Sequence, residues 1–194
     1  MLNDLVVRAR TVRRFMQAEP VGAEVLVDLV ALARLSPSSA NRQTLKFLPI
    51  CDPELNATIF AHLSWAGYLP DWPGPADGER PAAYIVVLSD KRLGPVREVD
   101  AGIVLQTMVL GACERDLATC VLGSVDRNNL AKELDLPEHF GILYVLALGR
   151  PAESVVVEDL GREGDVRYWR DEQGTMHVPK RTLDELIVKP ISSH

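Results

Sequence analysis

The chain has 194 residues, 47% hydrophobic and 25% charged, with a formal net charge of −6. That is the size of one domain with a substantial core, and the composition excludes general disorder and, with 13 Gly and 13 Pro, a collagen-like repeat. The acid excess argues against a broad nucleic-acid surface.

Leu2, Leu5, Val6 and Ala9 fall at helical spacing and predict a short N-terminal helix. The segment carries Asp4 and no apolar run, so it does not read as a signal peptide. Arg8, Arg10, Arg13 and Arg14 follow, with no acid between Leu5 and Ala18. Four guanidinium forks in a chain that is acidic overall match phosphate oxygens; a solvated basic face is the plainer alternative. Val25, Leu26, Leu29, Val30 and Ala33 form the apolar stripe of a second helix over Gly22 to Leu35. Ser36-Pro37-Ser38-Ser39-Ala40-Asn41 stops it. With Arg42 and Gln43, that loop is rich in hydroxyls, amides and backbone donors, which suit the edge of a heteroaromatic ring or a ribityl chain.

Phe47 to Cys51 reads as a strand, and Asp52-Pro53 starts a helix that runs to about Leu63. Gly67 to Pro81 is a Pro- and Gly-rich loop, with Trp65, Tyr68 and Trp72 in or beside it as a candidate pocket wall or a surface plug. Ala82 to Leu88 is a buried strand by its β-branched content. Asp100 to Leu117 is the strongest helix and is apolar nearly all round, which implies burial on several sides. Thr119 to Leu122 is a short strand. Gly123-Ser124 is a turn whose free N–H groups and missing side chain permit close approach of a ligand. Asp126 caps a helix to about Leu134, and Gly141 to Leu148 is a second buried strand. After Pro151 the composition shifts: Glu158 to Met176 is polar and Gly-containing with little periodicity, and Val178 to Val188 carries a basic pair, Lys180-Arg181, and a short apolar helix or strand. The tail after Glu153 lacks the apolar content for a core of its own, so it must lie along its own domain or a partner subunit. Helices alternating with buried strands predict an α/β or α+β domain.

Three cysteines without CxxC spacing (Cys51, Cys113, Cys120) argue against a disulfide scaffold and for a reducing compartment, and the scattered histidines offer no metal-ligand spacing. No Gly-rich dinucleotide fingerprint, Walker A sequence, nucleophile elbow or HExxH occurs.

Taken in order, five segments carry a resemblance. Arg10-Thr11-Val12-Arg13-Arg14-Phe15 fits R-S/T-x-R-x-F. The run from Ala33 through Ser36-Pro37-Ser38-Ser39-Ala40-Asn41-Arg42-Gln43 fits A/S-P-S-x-x-N-x-Q. Asp100-Ala101-Gly102 opens a D-x-G helix, and Leu117 to Cys120 and Leu146 to Pro151 are the strand segments that follow. Together they resemble the FMN-dependent nitroreductase family over about 140 residues. Departures fall at Ala9, Thr44, Leu45 and Gly123.

The resemblance implies an α+β fold with a mixed β-sheet flanked by helices, built as an intertwined homodimer with FMN at the subunit interface. It implies one domain over residues 1–194, in which 153–194 is a C-terminal extension reaching toward the partner subunit. Carried over to this sequence, Arg10 and Thr11 would hold the FMN phosphate and Arg13 the ribityl chain or the N1/O2 edge. Pro37, Ser38, Ser39 and Asn41 would come from the other subunit. Gly123 and Ser124 would lie near N5, and Lys180 and Arg181 would complete the phosphate site. The flavin would carry the chemistry, so no catalytic side chain and no metal site are singled out. The implied activity is cytoplasmic NAD(P)H-dependent reduction of nitroaromatic- or quinone-type acceptors by ping-pong hydride transfer. A flavin-binding sensor, carrier or flavin-modifying protein without NAD(P)H turnover, and a ligand-free dimer scaffold, are the alternatives.

Overall fold

The computed structural model describes residues 1–161 and 164–188. Its centre is an antiparallel four-stranded sheet formed by β1 (Leu45–Ile50), β2 (Ala83–Asp90), β3 (Ala118–Leu122) and β4 (Phe140–Gly149), in the order β1-β2-β4-β3. The inner strand β2 is buried along its whole length, and its side chains alternate between the two faces. Ala83, Ile85 and Val87 join the core beneath α2 (Ala23–Arg34) and α4 (Glu98–Glu114). Tyr84, Val86 and Leu88 face the opposite core, with Phe15 and residues of α3 (Pro53–Ala61) and α5 (Arg127–Glu133). A sheet covered on both faces needs continuous apolar strands, which is what Ala82 to Leu88 and Gly141 to Leu148 supply.

The helix starts follow local chemistry. Asp52 accepts hydrogen bonds from the Glu54 and Leu55 amides at 3.0 Å, with Pro53 at the first helical position. Asp126 caps α5 through the Asn129 amide. In α4, Gly111 lets the helix approach α2: a methyl group there would stand 2.6 Å from Leu32 Cδ1 and 3.0 Å from Leu29 Cδ2. The burial of α4 is graded rather than complete, since Gly102 and Gln106 are exposed and Ile103, Val109 and Leu110 half-buried. The first helix, α1 (Leu2–Arg8), lies at the N-terminus as its spacing predicts and packs on α4.

The tail contains more regular structure than its composition announces. β5 (Val155–Asp159), β6 (Trp169–Arg170) and β7 (Met176–Lys180) form a second sheet, ordered β5-β7-β6, before a short α6 (Leu183–Leu186). Pairing in this small sheet is mixed, parallel between β5 and β7 and antiparallel between β6 and β7. Met176 is fully buried, and Arg170 makes a 2.7 Å ion pair with Glu153, so the tail folds back along its own chain. Lys189 to His194 and the pair Arg162-Glu163 lie outside the described residues.

Candidate functional site

The segment from Ala9 to Phe15 runs as an extended strip between the edge of β3 and the start of the tail. Val12 N–H donates to the Thr119 carbonyl at 3.0 Å, and Met16 N–H to the Arg150 carbonyl at 2.9 Å. Phe15 is fully buried against Gly149, whose missing side chain makes room for the ring: a Cβ there would lie 3.1 Å from Phe15 Cβ. This anchoring sorts the four arginines by direction. Arg8 pairs with Asp116 at 3.6 Å and Arg14 with Glu79 at 3.3 Å. Arg10 and Arg13 instead line a cleft of about 400 Å³, together with Thr11 and, from the far end of the sequence, Lys180.

That cleft is electrostatically one-sided. Its wall carries three cations and no carboxylate; the remaining lining includes Gln106, Thr119 and Tyr168. Arg10 donates one N–H to the Val6 carbonyl, and its Nε is buried without a partner among the described residues. The Arg13 guanidinium lies over the Tyr168 ring, with Cζ 4.3 Å from the centroid, which orients it without neutralising it. Neither Arg13 nor Lys180 makes a side-chain ion pair among the described residues. Unpaired cations held together cost free energy unless an anion joins them, and a phosphate offers both charge and acceptor oxygens. The cleft therefore fits a phosphorylated ligand on its donor chemistry alone.

The loop after α2 has a different setting. Ser39 donates its amide and hydroxyl to Asp100 Oδ1 at 2.9 and 2.7 Å, which ties the loop to the first turn of α4. The Ser38 hydroxyl accepts from the Gln43 amide at 3.4 Å, and Asn41 Oδ1 from Gln43 Nε2 at 3.1 Å. Ala40, Asn41 and Gln43 all have φ between 50° and 52°, a conformation that side-chain-bearing residues rarely adopt, so the loop holds strain that its packing must offset. Ser38 borders a second cavity of about 350 Å³ with Asp100 and Val104, while Pro37 and Asn41 are exposed. Asp100 and Val104 occupy one side of α4. Gln106 and Val109, which border the cationic cleft, occupy the other at about 100° per residue. Within one chain the Ser38 loop and the Arg10–Lys180 cleft thus lie across the helix from each other.

Gly123 and Ser124 are exposed and do not border the cationic cleft, whose lining on β3 ends at Val121. Gly123 adopts no glycine-only backbone conformation, and a Cβ there would make ordinary contact with Tyr144 at 3.6 Å. The Ser124 carbonyl accepts from Ser64 N–H at 3.0 Å and the Gly123 carbonyl from Arg127 at 2.8 Å, so the turn's carbonyls are tied down. Arg181 is exposed, 3.4 Å from Glu185. Of the eleven residues expected at the site, Arg10, Thr11, Arg13 and Lys180 meet in one cleft of a single chain.

Three contributors carry no signal in the motifs. Tyr168 sits in the aperiodic tail, and its ring supports Arg13 while its hydroxyl accepts from the Tyr68 amide at 3.4 Å. Gln106 reads as a polar interruption of an apolar helix. Glu153, 1% exposed at its side chain, accepts from the amides of Arg13 and Arg14 and from Arg170. Among the described residues no cluster of His, Cys, Asp or Glu is arranged to hold a metal ion, and no helix is long and apolar enough to cross a membrane.

Comparisons with known proteins concern the fold as a whole. A structure from Desulfovibrio desulfuricans, assigned as a nitroreductase and solved in complex with FMN, superposes with a TM-score of 0.70 at 22% identity, covering 99% of this chain and 98% of that one. A nitroreductase family protein of Clostridium difficile 630 gives 0.62 at 21% identity, over 77% of this chain and 83% of that one. A Parabacteroides distasonis protein described as NADH dehydrogenase/NAD(P)H nitroreductase gives 0.63 at 23% identity, over 77% and 86%. The model of the nitroreductase family matches residues 6–150, which span the cationic strip, the serine loop, α4 and all four strands of the main sheet. The chain belongs to the nitroreductase family.

Proposed function

We propose that the protein is a cytoplasmic, homodimeric, FMN-dependent oxidoreductase that takes electrons from NAD(P)H and passes them to a nitroaromatic- or quinone-type acceptor in a ping-pong sequence. The observation that carries this reading is the acid-free cleft where Arg10, Thr11, Arg13 and Lys180 meet. FMN supplies the hydride chemistry when bound. The chain supplies binding and tuning. Arg10 and Lys180 hold the phosphate dianion, with the Thr11 hydroxyl as a further donor. Arg13, fixed over Tyr168, offers a positive charge to the ribityl chain or the pyrimidine edge of the ring system, where it favours an anionic reduced form.

The position of the serine loop supports the dimer. Pro37, Ser38, Ser39 and Asn41 lie across α4 from the cleft of their own chain, so they reach a shared ligand only if a second copy brings its loop to that cleft. In this reading Gly123, Ser124 and Arg181 complete the site in the assembled dimer, and the residues after Lys180 extend the 153–194 segment toward the partner.

The test is anaerobic mixing of the FMN-loaded protein with NADH and with NADPH. The proposal expects bleaching of the visible flavin absorbance by at least one of them, followed by re-oxidation on adding a quinone. Flavin that stays oxidised with both donors would leave a flavin-binding protein without turnover.

A further inference from the structure

Glu153 stands apart from every motif in the chain, yet it is the most buried acid beside the cationic strip. We infer that Glu153 and Arg170 form a positioning clamp that sets Lys180 against Arg10 at the phosphate end of the cleft; the inference rests on the flavin reading above. One carboxylate oxygen accepts from the backbone amides of Arg13 and Arg14, and the other from Arg170 at 2.7 Å. The pair is withdrawn from water, with side-chain exposures of 1% and 13%. Arg170 also lies 4.8 Å from the Trp72 ring centroid, which covers the pair from the side of the aromatic loop.

The clamp's reach follows from the register of the tail sheet. Arg170 on β6 is opposite Met176 on β7, and Met176 N–H donates to the Ser154 carbonyl, next to Glu153, at 2.9 Å. From that fixed point β7 runs four residues to Lys180, about 13 Å at strand spacing. The far end is secured to β5, where Asp159 pairs with Lys180 and Leu160 N–H donates to its carbonyl at 2.7 Å. The strip and the tail therefore share one anchor: Glu153 holds the backbone of Arg13 directly and the strand carrying Lys180 through Arg170. The strip at Arg13, 140 residues from Glu153 in sequence, and the strand that carries Lys180 are brought into one frame by a carboxylate that does not border the cleft.

A clamp acting through Lys180 makes a prediction that general destabilisation does not. Riboflavin lacks the phosphate, so a residue that works by placing Lys180 affects FMN and spares riboflavin. The experiment measures dissociation constants for FMN and riboflavin by fluorescence quenching in wild type, K180A, R170M, E153Q, R170K and the double variant R170M/K180A. The expected result is about ten- to hundredfold weaker FMN binding in K180A and R170M, with riboflavin changed less than about threefold. E153Q keeps an oxygen for the two amides but loses the ion pair, and is expected to follow R170M. R170K restores the charge and should recover most of the affinity. R170M/K180A should bind FMN no worse than K180A alone, because the two changes remove one interaction. Wild-type FMN affinity in R170M beside a weakened K180A overturns the clamp and leaves the flavin site standing. So does a double variant whose losses add, or a riboflavin loss equal to that for FMN. Wild-type protein that binds neither ligand overturns the flavin reading itself.

Discussion

Replacing Phe15 by Ala tests whether the cationic strip is fixed by packing. Phe15 is fully buried, lies opposite Pro151 and closes on Gly149, while its amide donates to the Glu79 carbonyl at 2.9 Å. With its ring packed on Gly149 and its own backbone pinned by pairing, the site has little freedom to collapse on truncation, so the cost belongs at the upper part of the large-to-small range, about 3–5 kcal/mol. For a domain of this size each kcal/mol lowers Tm by about 2–4 °C, which gives a drop of roughly 6–20 °C. Met16, the next residue, is 45% exposed, and M16A should stay within about 0.5 kcal/mol as an internal control. Thermal denaturation followed by circular dichroism reads both variants. A loss below about 1 kcal/mol for F15A, or equal losses for F15A and M16A, would refute the view that the strip between Arg10 and Arg14 is held rigid from behind.

Three further outcomes follow from the same geometry. R10A and K180A should each weaken FMN binding by about 1–3 kcal/mol, the scale for losing a hydrogen bond to a charged group, and an unchanged titration in both would reject the phosphate assignment. His177 lies between Glu158 at 3.1 Å and Asp171 at 3.3 Å and stacks on Trp169; hydrogen bonds to Glu158 first, then Asp171, raise its pKa above the ordinary value. A raised folded-state pKa adds stability that is complete below the unfolded value of about 6.5 and fades as pH climbs through the folded one. Tm should therefore fall between neutral and mildly alkaline pH in wild type, and H177Q should lose that part of the slope; parallel curves would contradict it. Burial pushes the Cys120 thiol up to about 11, whereas Cys51 is half-buried, so a thiol reagent at pH 8 should label Cys51 well before Cys120 by mass spectrometry, and the reverse order would count against the packing of β3.

The main sheet and its helices are legible because their signals are local. The stripe of α2, the caps Asp52 and Asp126, and the apolar runs of β2 and β4 lie within windows of a dozen residues. The tail sheet is not legible in that way. β6 has two residues, β7 includes Pro179, and Val156 and Val157 of β5 are each 44% exposed; what holds the sheet is parallel pairing across about twenty residues and the buried Met176. The site divides similarly. Arg10, Thr11 and Arg13 stand out as a basic cluster in an acidic chain, whereas the meeting of Lys180 with them depends on the tail's route. Glu153 and Tyr168 have no sequence signature because their roles are defined by partners far along the chain. The strain at Ala40, Asn41 and Gln43 is likewise invisible in residue type, since none is glycine.

The most direct measurement is the visible spectrum of the purified protein after incubation with FMN and removal of free flavin. The cleft of Arg10, Arg13 and Lys180 predicts a yellow protein with flavin retained in proportion to the chain, and loss of that colour in the R10A/K180A double variant. A colourless wild-type protein, or colour that survives the double variant unchanged, would contradict the account.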